Sequence, residues 1–374
     1  MSPRAERPSA TVRRLLTAVL RAPERVTTLP APELDLVLRL ARRVRLLGRL
    51  ADRLQRHGLI DALPEAAREQ LASAAVVVEA RSRVTRWEVD RLMSALRARP
   101  QMRVVALKGC AYLLANLPNA AGRVFADVDL LFGEGDLDEA ERLLVEQGWR
   151  GTKLEPYDQH YYRVWTHELP PLVHAEREVE ADLHHNILPR TARLKPSGAR
   201  LLEAARPIDG DRIYRLADRD LVLHAMTHLM FDSEMADSLR DLVDIGDLLT
   251  HFSAADAEFL EALWNRAREL DLIRPAFYSL RYAHDLLGTP VPEVALRRAR
   301  EGAPTAAVLW LMDRLVPLAL FPQHPEAPRR AVVLARLLLY LRSLWIRMPP
   351  LLLARHLCYK FFVRKIRRKA PHPA

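Results

Sequence analysis

The spacing of apolar residues is the feature that most constrains the fold of this chain. In the segment LDLVLRLARRVRLLGRLADRLQRHG (34–58), leucines recur three, four or seven residues apart, which is the period of an amphipathic helix. Only the regions 103–132 and 170–188 change to short β-branched or alternating runs, which are typical of strands. The pattern predicts an α+β fold that is mostly helical, with one small mixed sheet.

Composition agrees with a helical globular protein. The chain has 374 residues, of which 49% are hydrophobic and 28% charged, enough for a packed core and two or three domains. Its 13 glycines and 6% aromatic residues favour helices over sandwiches or barrels. We expect an N-terminal helical segment (1–99), a central core containing the sheet (100–206), a C-terminal helical domain (207–330) and a basic amphipathic helical tail (331–374).

Cysteine content and the N-terminus bear on the compartment. Cys110 and Cys358 follow no metal-ligand spacing and form no disulfide framework, which fits a reducing cytoplasm. The basic, polar start of the chain lacks the apolar core of a secretory signal. Because arginines and a proline pair interrupt the block 331–369, no apolar run there reaches the roughly 18–20 residues that span a bilayer. We expect a cytoplasmic protein, with membrane association through the tail as an alternative.

The positive charge is concentrated at the C-terminus. Net charge is +10, and seven basic residues lie between Arg355 and Lys369 with no acidic residue from there to the end. Such a tail can attract anionic lipid, nucleic acid or an acidic partner. Leu351, Leu352 and neighbouring phenylalanines can enter a membrane interface, while a solvated tail or a subunit contact explains the pattern equally well. The chain contains no specific nucleic-acid-binding motif.

Two predicted strands and a turn place charged side chains together. RVVAL (103–107) is predicted to be a strand, followed by a tight turn at Lys108-Gly109 and a helix that ends before Pro118. The segment VFADVDLLF (124–132) is a second strand. Because alternate residues of a strand face the same side, Asp127 and Asp129 lie on one face of it.

A helix and a hairpin follow in the pattern. Asp136 and Glu139 have the spacing of a capping box, and the helix that they begin runs to Gln147. The segment 170–188 is predicted to be a hairpin whose second arm places three polar residues on one face. These residues are Glu180, Asp182 and His184.

Carboxylates in this pattern are suited to binding magnesium. Two carboxylates one residue apart on a strand lie about 6–7 Å from each other, so both reach one or two Mg²⁺ ions whose other ligands are water and phosphate. In a two-ion phosphoryl transfer a third carboxylate is useful. Asp182 is the leading candidate and Glu180 the alternative. His184 would support that carboxylate or contact substrate.

The turn between the first strand and its helix is a candidate phosphate-binding site. Backbone amides of Gly109, Cys110 and Ala111 at the start of the helix would face phosphate oxygens, with Lys108 adding charge. The competing interpretation is a glycine turn with a surface lysine.

The segment LKGCAYLLANLPNAAGRVFADVDLLFGEGDLDEAERLLVEQGW resembles the uncharacterised nucleotidyltransferase family of the DNA polymerase beta superfamily. The motif VEADLHH is similar to the second acidic strand of that family, and LHAMTHLMF with LRDLVDIGDLL to its helical continuation, so the resemblance covers roughly residues 100–250. It implies a nucleotidyltransferase-type sheet, Asp127 and Asp129 as metal ligands, Gly109 in the nucleotide-binding turn and Arg123 near the phosphates.

The resemblance also implies an activity. It is the Mg²⁺-dependent transfer of a nucleoside monophosphate from an NTP, with ATP as the expected donor, to an unidentified acceptor. One position departs from the wider superfamily, which often has Gly-Ser where this chain has Gly109-Cys110. A thiol is a poor hydrogen-bond donor, so phosphate binding would depend on backbone amides and on Lys108 or Arg123. The alternative is a catalytically inactive nucleotide-binding scaffold whose helical ends recruit a partner or membrane.

Other polar groups have simpler interpretations. His224 and His228 lie four residues apart on a predicted helix, but the glutamate that accompanies such a pair in zinc enzymes is missing. Helix packing or a polar contact to the cleft is therefore favoured over a zinc site.

The remaining candidates are a charged helix and an aromatic segment. Local ion pairing is preferred over substrate contact as the explanation for Arg240, Asp241, Asp244 and Asp247, which are spaced three or four residues apart on a helix. His160, Tyr161 and Tyr162 are predicted to lie in a strand beside the sheet. Packing in the core is favoured there over stacking on a base or sugar, and we assign them no role.

Overall fold

Four helices form the N-terminal part of the chain, of which the computed structural model describes residues 8–152, 155–208, 212–232 and 235–367. They are α1 (Pro8–Arg21), α2 (Ala31–Arg43), α3 (Leu47–Arg56) and α4 (Glu65–Ala95). Pro30 and Pro64 directly precede α2 and α4, where a missing amide hydrogen costs nothing. Arg45 adopts a left-handed conformation with φ 57°, so the apolar period of 34–58 is divided between two helices.

Seven short strands form one mixed sheet. They are β1 (Val105–Ala106), β2 (Asp127–Leu131), β3 (Trp149–Gly151), β4 (Leu172–His174), β5 (Glu180–His184), β6 (Arg206–Ile208) and β7 (Ile213–Arg215). Their spatial order is β3-β4-β5-β2-β1-β7-β6. The pairs β2/β5 and β1/β7 are parallel, and the other neighbours are antiparallel. The mostly helical α+β class with a mixed sheet is confirmed.

Short helices connect the strands. They are α5 (Lys108–Leu114), α6 (Leu137–Glu146), α7 (Pro156–His160) and α8 (Gly198–Glu203). The predicted hairpin is confirmed, since β4 pairs antiparallel with β5. The predicted capping box is wrong, because the Asp136 side chain makes no cap hydrogen bond and Glu139 binds Arg99 and Arg142 instead.

In the described part of the chain, eight α-helices follow the sheet. They are α9 (Asp218–Phe231), α10 (Leu239–Ala255), α11 (Phe259–Glu269), α12 (Ile273–Tyr282), α13 (Glu293–Ala299), α14 (Ala306–Leu320), α15 (Arg330–Arg347) and α16 (Pro350–Arg367). In this region α9 is the central helix, since α10, α11, α12 and α15 all pack against it. No single described helix is long and apolar enough to cross a membrane, although the bent pair Glu293–Gly302 and Ala306–Leu320 meets that criterion jointly.

Two expectations about strands are wrong. The pattern predicts no strand beyond about Pro207, yet β7 pairs with the central strand β1. Three residues are too few to show alternation, and β7 is held through its backbone by a neighbour distant in sequence. The segment 160–162 lies in α7 and the single π-helical turn Tyr161–Trp165 rather than in a strand. Its rings pack against one another and against His356 of α16.

One buried apolar cluster joins all of these parts. It extends from Val12 in α1 through the sheet to Leu339 in α15. The loop before β2 approaches α3 very closely, because a Cβ on Gly122 would lie 2.4 Å from Cα of Arg49. Gly122 also has φ 68°, a conformation that glycine adopts without strain. The N-terminal helices are therefore packed directly on the loop that precedes β2.

Candidate active site

The register between β2 and β5 assembles four carboxylates. Asp127 is opposite Glu180, and Asp129 is opposite Asp182. Register partners in a parallel pair face the same side of the sheet, so all four side chains project from one face. Asp127 and Glu180 are exposed at the start of the strands, while Asp129 and Asp182 lie further inside.

Lys108 and His184 surround Asp129. The Lys108 ammonium donates to Oδ1 of Asp129 at 2.8 Å, and His184 Nε2 donates to the same oxygen at 3.0 Å. Burial of Asp129 opposes its ionisation, but Lys108 and His184 outweigh this effect and hold the pKa of that carboxyl well below its usual range. Asp129 is therefore charged and fixed in orientation at neutral pH.

The position of Lys108 depends on an unusual backbone conformation. Lys108 has φ 45°, in the left-handed region that non-glycine residues rarely adopt. Lys108 is the first residue of α5, and its ammonium group is directed toward Asp129 of β2. Where the sequence predicts a lysine free to contact phosphate, the structure places its charge on Asp129.

A second polar group lies behind His184. His184 Nδ1 is 3.3 Å from Oε2 of Glu168, and burial of His184 disfavours its charged form, but Asp129 and Glu168 raise its pKa. Ligand atoms of His167, Glu168 and His184 lie within 4.8 Å of one another. Burial lowers the pKa of His167 well below its usual range, so this ring is neutral.

Asp182 has the opposite electrostatic environment to Asp129. Burial, followed by repulsion from Asp129, raises the pKa of Asp182 to about 7. Its Oδ1 atom is buried and has no hydrogen-bond partner among the described residues. Ligand atoms of Asp129, Asp182 and His184 lie within 4.8 Å of one another. A bound cation would satisfy this oxygen and remove the repulsion, so the donor set fits a divalent metal ion.

Arg123 lies above the glycine of the turn. A Cβ on Gly109 would be 3.2 Å from Arg123 Nε and 3.1 Å from Cδ1 of Phe125, so the absence of a side chain allows this approach. Burial, followed by Arg240, lowers the pKa of Arg123 to about 10. The guanidinium therefore remains charged at neutral pH. It lies 5.5 Å from the ring centre of Tyr112 and hydrogen-bonds to Asp244.

Some of these groups line a common cavity of about 130 Å³, whose lining does not include Glu180, Asp182 or His184. Of the residues predicted for the site, it contains Lys108, Gly109, Arg123, Asp127 and Asp129. Its lining also includes Tyr112, for which no site role is predicted, and three residues for which substrate contact is the less favoured alternative, namely Arg240, Asp241 and Asp244. The only sequence signal for Tyr112 is its position three residues after Gly109 on one helix. His228 also lines the cavity, in agreement with the predicted polar contact, whereas His224 is buried.

Some predicted contacts are absent from the turn. The amide of Ala111 donates to the Leu107 carbonyl within the helix, so it is not available to phosphate. The Cys110 side chain is buried, and burial raises the pKa of its thiol. Cys110 is not among the residues that line the cavity beside Asp129.

The predicted local ion pairing of α10 is wrong for two of its aspartates. Asp244 binds Arg49 and Arg123, and Asp247 binds Arg49 and Arg53. These arginines are far away in sequence, so helical spacing does not reveal them. Only Arg240 pairs locally, with Asp241 at 3.2 Å. The cluster attaches α3 to α10 and places Arg123 at the rim of the cavity.

A second cavity of about 740 Å³ adjoins the first between α3, α4 and the loop before β2. Arg45, Val124 and Ala126 line both cavities. The wall of the larger one is predominantly apolar and includes Leu47 and Val77, with Arg42 and Glu69 among its charged residues. The carboxylates thus lie at one end of a longer groove.

Comparison with protein families gives one match. A family model described as an uncharacterised nucleotidyltransferase matches residues 30–288, which include α2 to α12 and the entire sheet. Comparisons with curated proteins and with solved structures find no match.

Proposed function

Because the chain belongs to the uncharacterised nucleotidyltransferase family, we propose that it transfers a nucleoside monophosphate from an NTP to a hydroxyl or phosphate of an acceptor. The observation that supports this proposal is the register of β2 and β5, which aligns Asp129 with Asp182 and Asp127 with Glu180. Four carboxylates on one face, beside Lys108 and Arg123, match the charge of a metal-bound triphosphate.

Asp127, Asp129 and Asp182 are the proposed ligands of one or two Mg²⁺ ions, since carboxylate oxygens are the ligands that Mg²⁺ prefers. Bound ions would supply positive charge at the phosphates and activate the attacking hydroxyl. Lys108 and His184 both bind Oδ1 of Asp129. They leave Oδ2 as the free ligand atom and hold the carboxylate in position. Glu180, the register partner of Asp127, is the proposed alternative contact to the substrate.

The side chains have distinct roles in the proposed reaction. The acceptor oxygen forms a bond to the α-phosphorus, the bond from that phosphorus to the bridging oxygen breaks, and pyrophosphate leaves. The acceptor proton passes to the carboxylate of Asp182, which lies opposite Asp129 in the register and acts as the general base. Arg123 contacts the phosphates together with the backbone amides of Gly109 and Cys110. ATP is the proposed donor.

The groove offers a place for the acceptor. The cavity of about 130 Å³ at the carboxylates is smaller than the roughly 300–1,000 Å³ typical of ligand pockets. The adjoining cavity of about 740 Å³ is large enough for a second substrate. We place the acceptor there, with Arg45 between the two substrates.

The test measures transfer by purified full-length protein with Mg²⁺, α-labelled NTPs and separate pools of RNA, protein and sugar acceptors. Asp127→Asn is the informative variant because Asp127 is exposed, so its loss leaves the core intact. Asp138→Asn, which removes an exposed carboxylate from α6, is the matched control. We expect labelling by the wild type and the control, and a loss of at least about 100-fold in Asp127→Asn.

Two outcomes would contradict the proposal. Equal labelling by wild type and Asp127→Asn would remove Asp127 from the site. Tight binding of Mg²⁺ and ATP in calorimetry, with no transfer to any pool, would favour the inactive nucleotide-binding scaffold.

A further inference from the structure

Helix α15 has arginines on the face that packs against the protein and apolar residues on the face toward solvent, which is the reverse of the usual surface helix. Its two internal arginines point toward the protein: Arg336 donates to Asp237 at 2.6 Å, and Arg342 donates to the Met230 carbonyl at 2.9 Å. Val332, Ala335 and Leu339 are buried beside them. The inward face of α15 therefore combines apolar packing with two arginines that hydrogen-bond to the protein.

The outward face of the same helix is apolar. Val333, Leu337 and Leu341, at successive four-residue intervals, are 63%, 51% and 46% exposed. The other large exposed residues of α15 are Leu334, Leu338, Tyr340 and Trp345. A helix in contact with water normally presents charged residues outward, and a contiguous apolar surface of this kind marks an interaction site. We call these seven residues the outer face of α15.

The neighbouring helices α14 and α16 also expose large apolar side chains. Trp310 of α14, which packs against α15, is 57% exposed, and the Arg314 guanidinium lies 3.7 Å from its ring centre. On α16, Leu351 is 88% exposed. Exposed tryptophans beside arginines are typical of the boundary between lipid headgroups and acyl chains.

Charge distinguishes between the possible occupants of the outer face. Residues 327–374 contain 12 of the 57 basic residues and none of the 47 acidic ones. The rest of the chain carries 45 basic and 47 acidic residues, so the positive charge of the protein is confined to this end. Association of two copies through the outer face would bring two such basic segments together, whereas an anionic bilayer complements them.

We propose that the outer face of α15 binds an anionic lipid bilayer, with the helix lying in the plane of the interface. The inward face of α15 is occupied by the protein, which leaves one apolar face to enter the headgroup region. The basic residues of 329–369 supply the attraction to anionic headgroups. This proposal is independent of the nucleotidyl transfer proposed above.

The experiment is flotation of full-length protein with two kinds of vesicle. One is phosphatidylcholine alone, and the other contains about one third phosphatidylglycerol. We expect binding to the anionic vesicles to be at least about tenfold stronger and to weaken with added salt. Equal binding to both vesicles, or binding to neither, would overturn the proposal.

Variants distinguish the contribution of the outer face to vesicle binding from that of the basic tail. The triple variant Val333→Ser, Leu337→Ser, Leu341→Ser retains every basic residue, and we expect it to lose binding by at least about tenfold. The matched control is Val76→Ser, Val84→Ser, which removes exposed valines from α4 and should bind as the wild type does. Unchanged binding by the triple variant would show that the tail acts without the outer face.

Two further measurements keep the result unambiguous. Quenching of tryptophan fluorescence by brominated lipid in the wild type should diminish in Trp345→Phe, and this readout does not depend on the folding of the triple variant. Light scattering after size exclusion gives the oligomeric state. A wild-type dimer that the triple variant converts to a monomer would assign the outer face to a second copy of the chain and would contradict the bilayer proposal.

Discussion

At the scale of single residues, Asp129 and Asp182 show how position within a sheet determines chemistry. They are register partners on adjacent strands, yet the pKa of one is lowered and that of the other is raised to about 7. Lys108 and His184 both bind Asp129, whereas Oδ1 of Asp182 has no partner among the described residues. Paired carboxylates with separated pKa values are typical of acid–base sites.

Replacement of Asp182 by Asn should stabilise the metal-free protein at high pH. The pKa of Asp182 is about 7 when folded against an ordinary value of 3.8. The folded state therefore holds a proton that the unfolded state has lost, and stability falls as pH rises between these values. Asparagine does not titrate, so the stability of Asp182→Asn should not fall in this pH range. In EDTA its melting temperature should exceed that of the wild type at pH 8, and the difference should shrink toward pH 4.

The comparison variant is again Asp138→Asn, since it removes an exposed carboxylate from α6. A difference in melting temperature between Asp182→Asn and wild type that does not change with pH would contradict the assigned pKa.

Gly109 offers a second test at this scale. A methyl group there would lie 3.2 Å from Arg123 Nε and 3.1 Å from Phe125, which forces both neighbours to move. We expect Gly109→Ala to fold and to bind MgATP about tenfold more weakly, as measured by calorimetry. Gly135→Ala is the control because nothing lies within 4 Å of its added Cβ. Unchanged affinity in Gly109→Ala would separate the turn from the nucleotide site.

At the scale of elements, the attachment of α3 to α10 depends on a buried ion cluster. Arg49 has 6% side-chain exposure and Asp244 has 4%. Burial of Arg49 lowers its pKa despite the neighbouring aspartates, so removal of a partner would leave positive charge uncompensated. Charge burial of this kind is tolerated only while every member is paired.

Asp244→Ala should therefore be strongly destabilising. It leaves Arg49 and Arg123 without their shared carboxylate, and the loss for breaking a buried pair is about 3–5 kcal/mol. Urea unfolding followed by circular dichroism measures this free energy. Asp35→Ala removes the exposed partner of Arg39 on α2 and should cost below about 1 kcal/mol. Similar values for the two variants would mean that the cluster contributes no more than a surface pair.

At the scale of the whole molecule, the N-terminal helices and the sheet share one core. The apolar cluster includes Val12 and Leu40 as well as Leu130 and Leu223. Arg21 of α1 donates to the Leu287 carbonyl at 2.9 Å, so α1 also contacts the end of the segment that matches the family. The groove beside the carboxylates has walls from α3 and α4.

A chain that begins at residue 100 should not fold on its own. It would expose the apolar residues that α1 to α4 cover and would remove Arg49 from Asp244. We expect insoluble protein or a non-cooperative thermal transition, compared with a control that lacks only residues 1–7. A soluble monomer with a cooperative melt would instead identify residues 100–374 as an independent folding unit.

The sequence by itself determined the main elements and the two acidic strands of the site. Helical periodicity identified the helices at both ends, and alternation identified β2 and β5 with the acidic residues on a common face. Local spacing carries this information because side-chain direction repeats within an element. The motif around Lys108, Gly109 and Asp127 was sufficient to indicate the family, which the match to residues 30–288 confirms.

Only the tertiary structure decided which groups meet. The pairing of β2 with β5, the contact of Lys108 with Asp129, and the binding of Asp244 by Arg49 join residues between 21 and 195 positions apart. No local pattern encodes such contacts, because they result from packing of whole elements. The same reason explains why β7 and the outer face of α15 were not predicted. The strand that pairs with β7 and the exposure of α15 to solvent are both determined only when the chain folds.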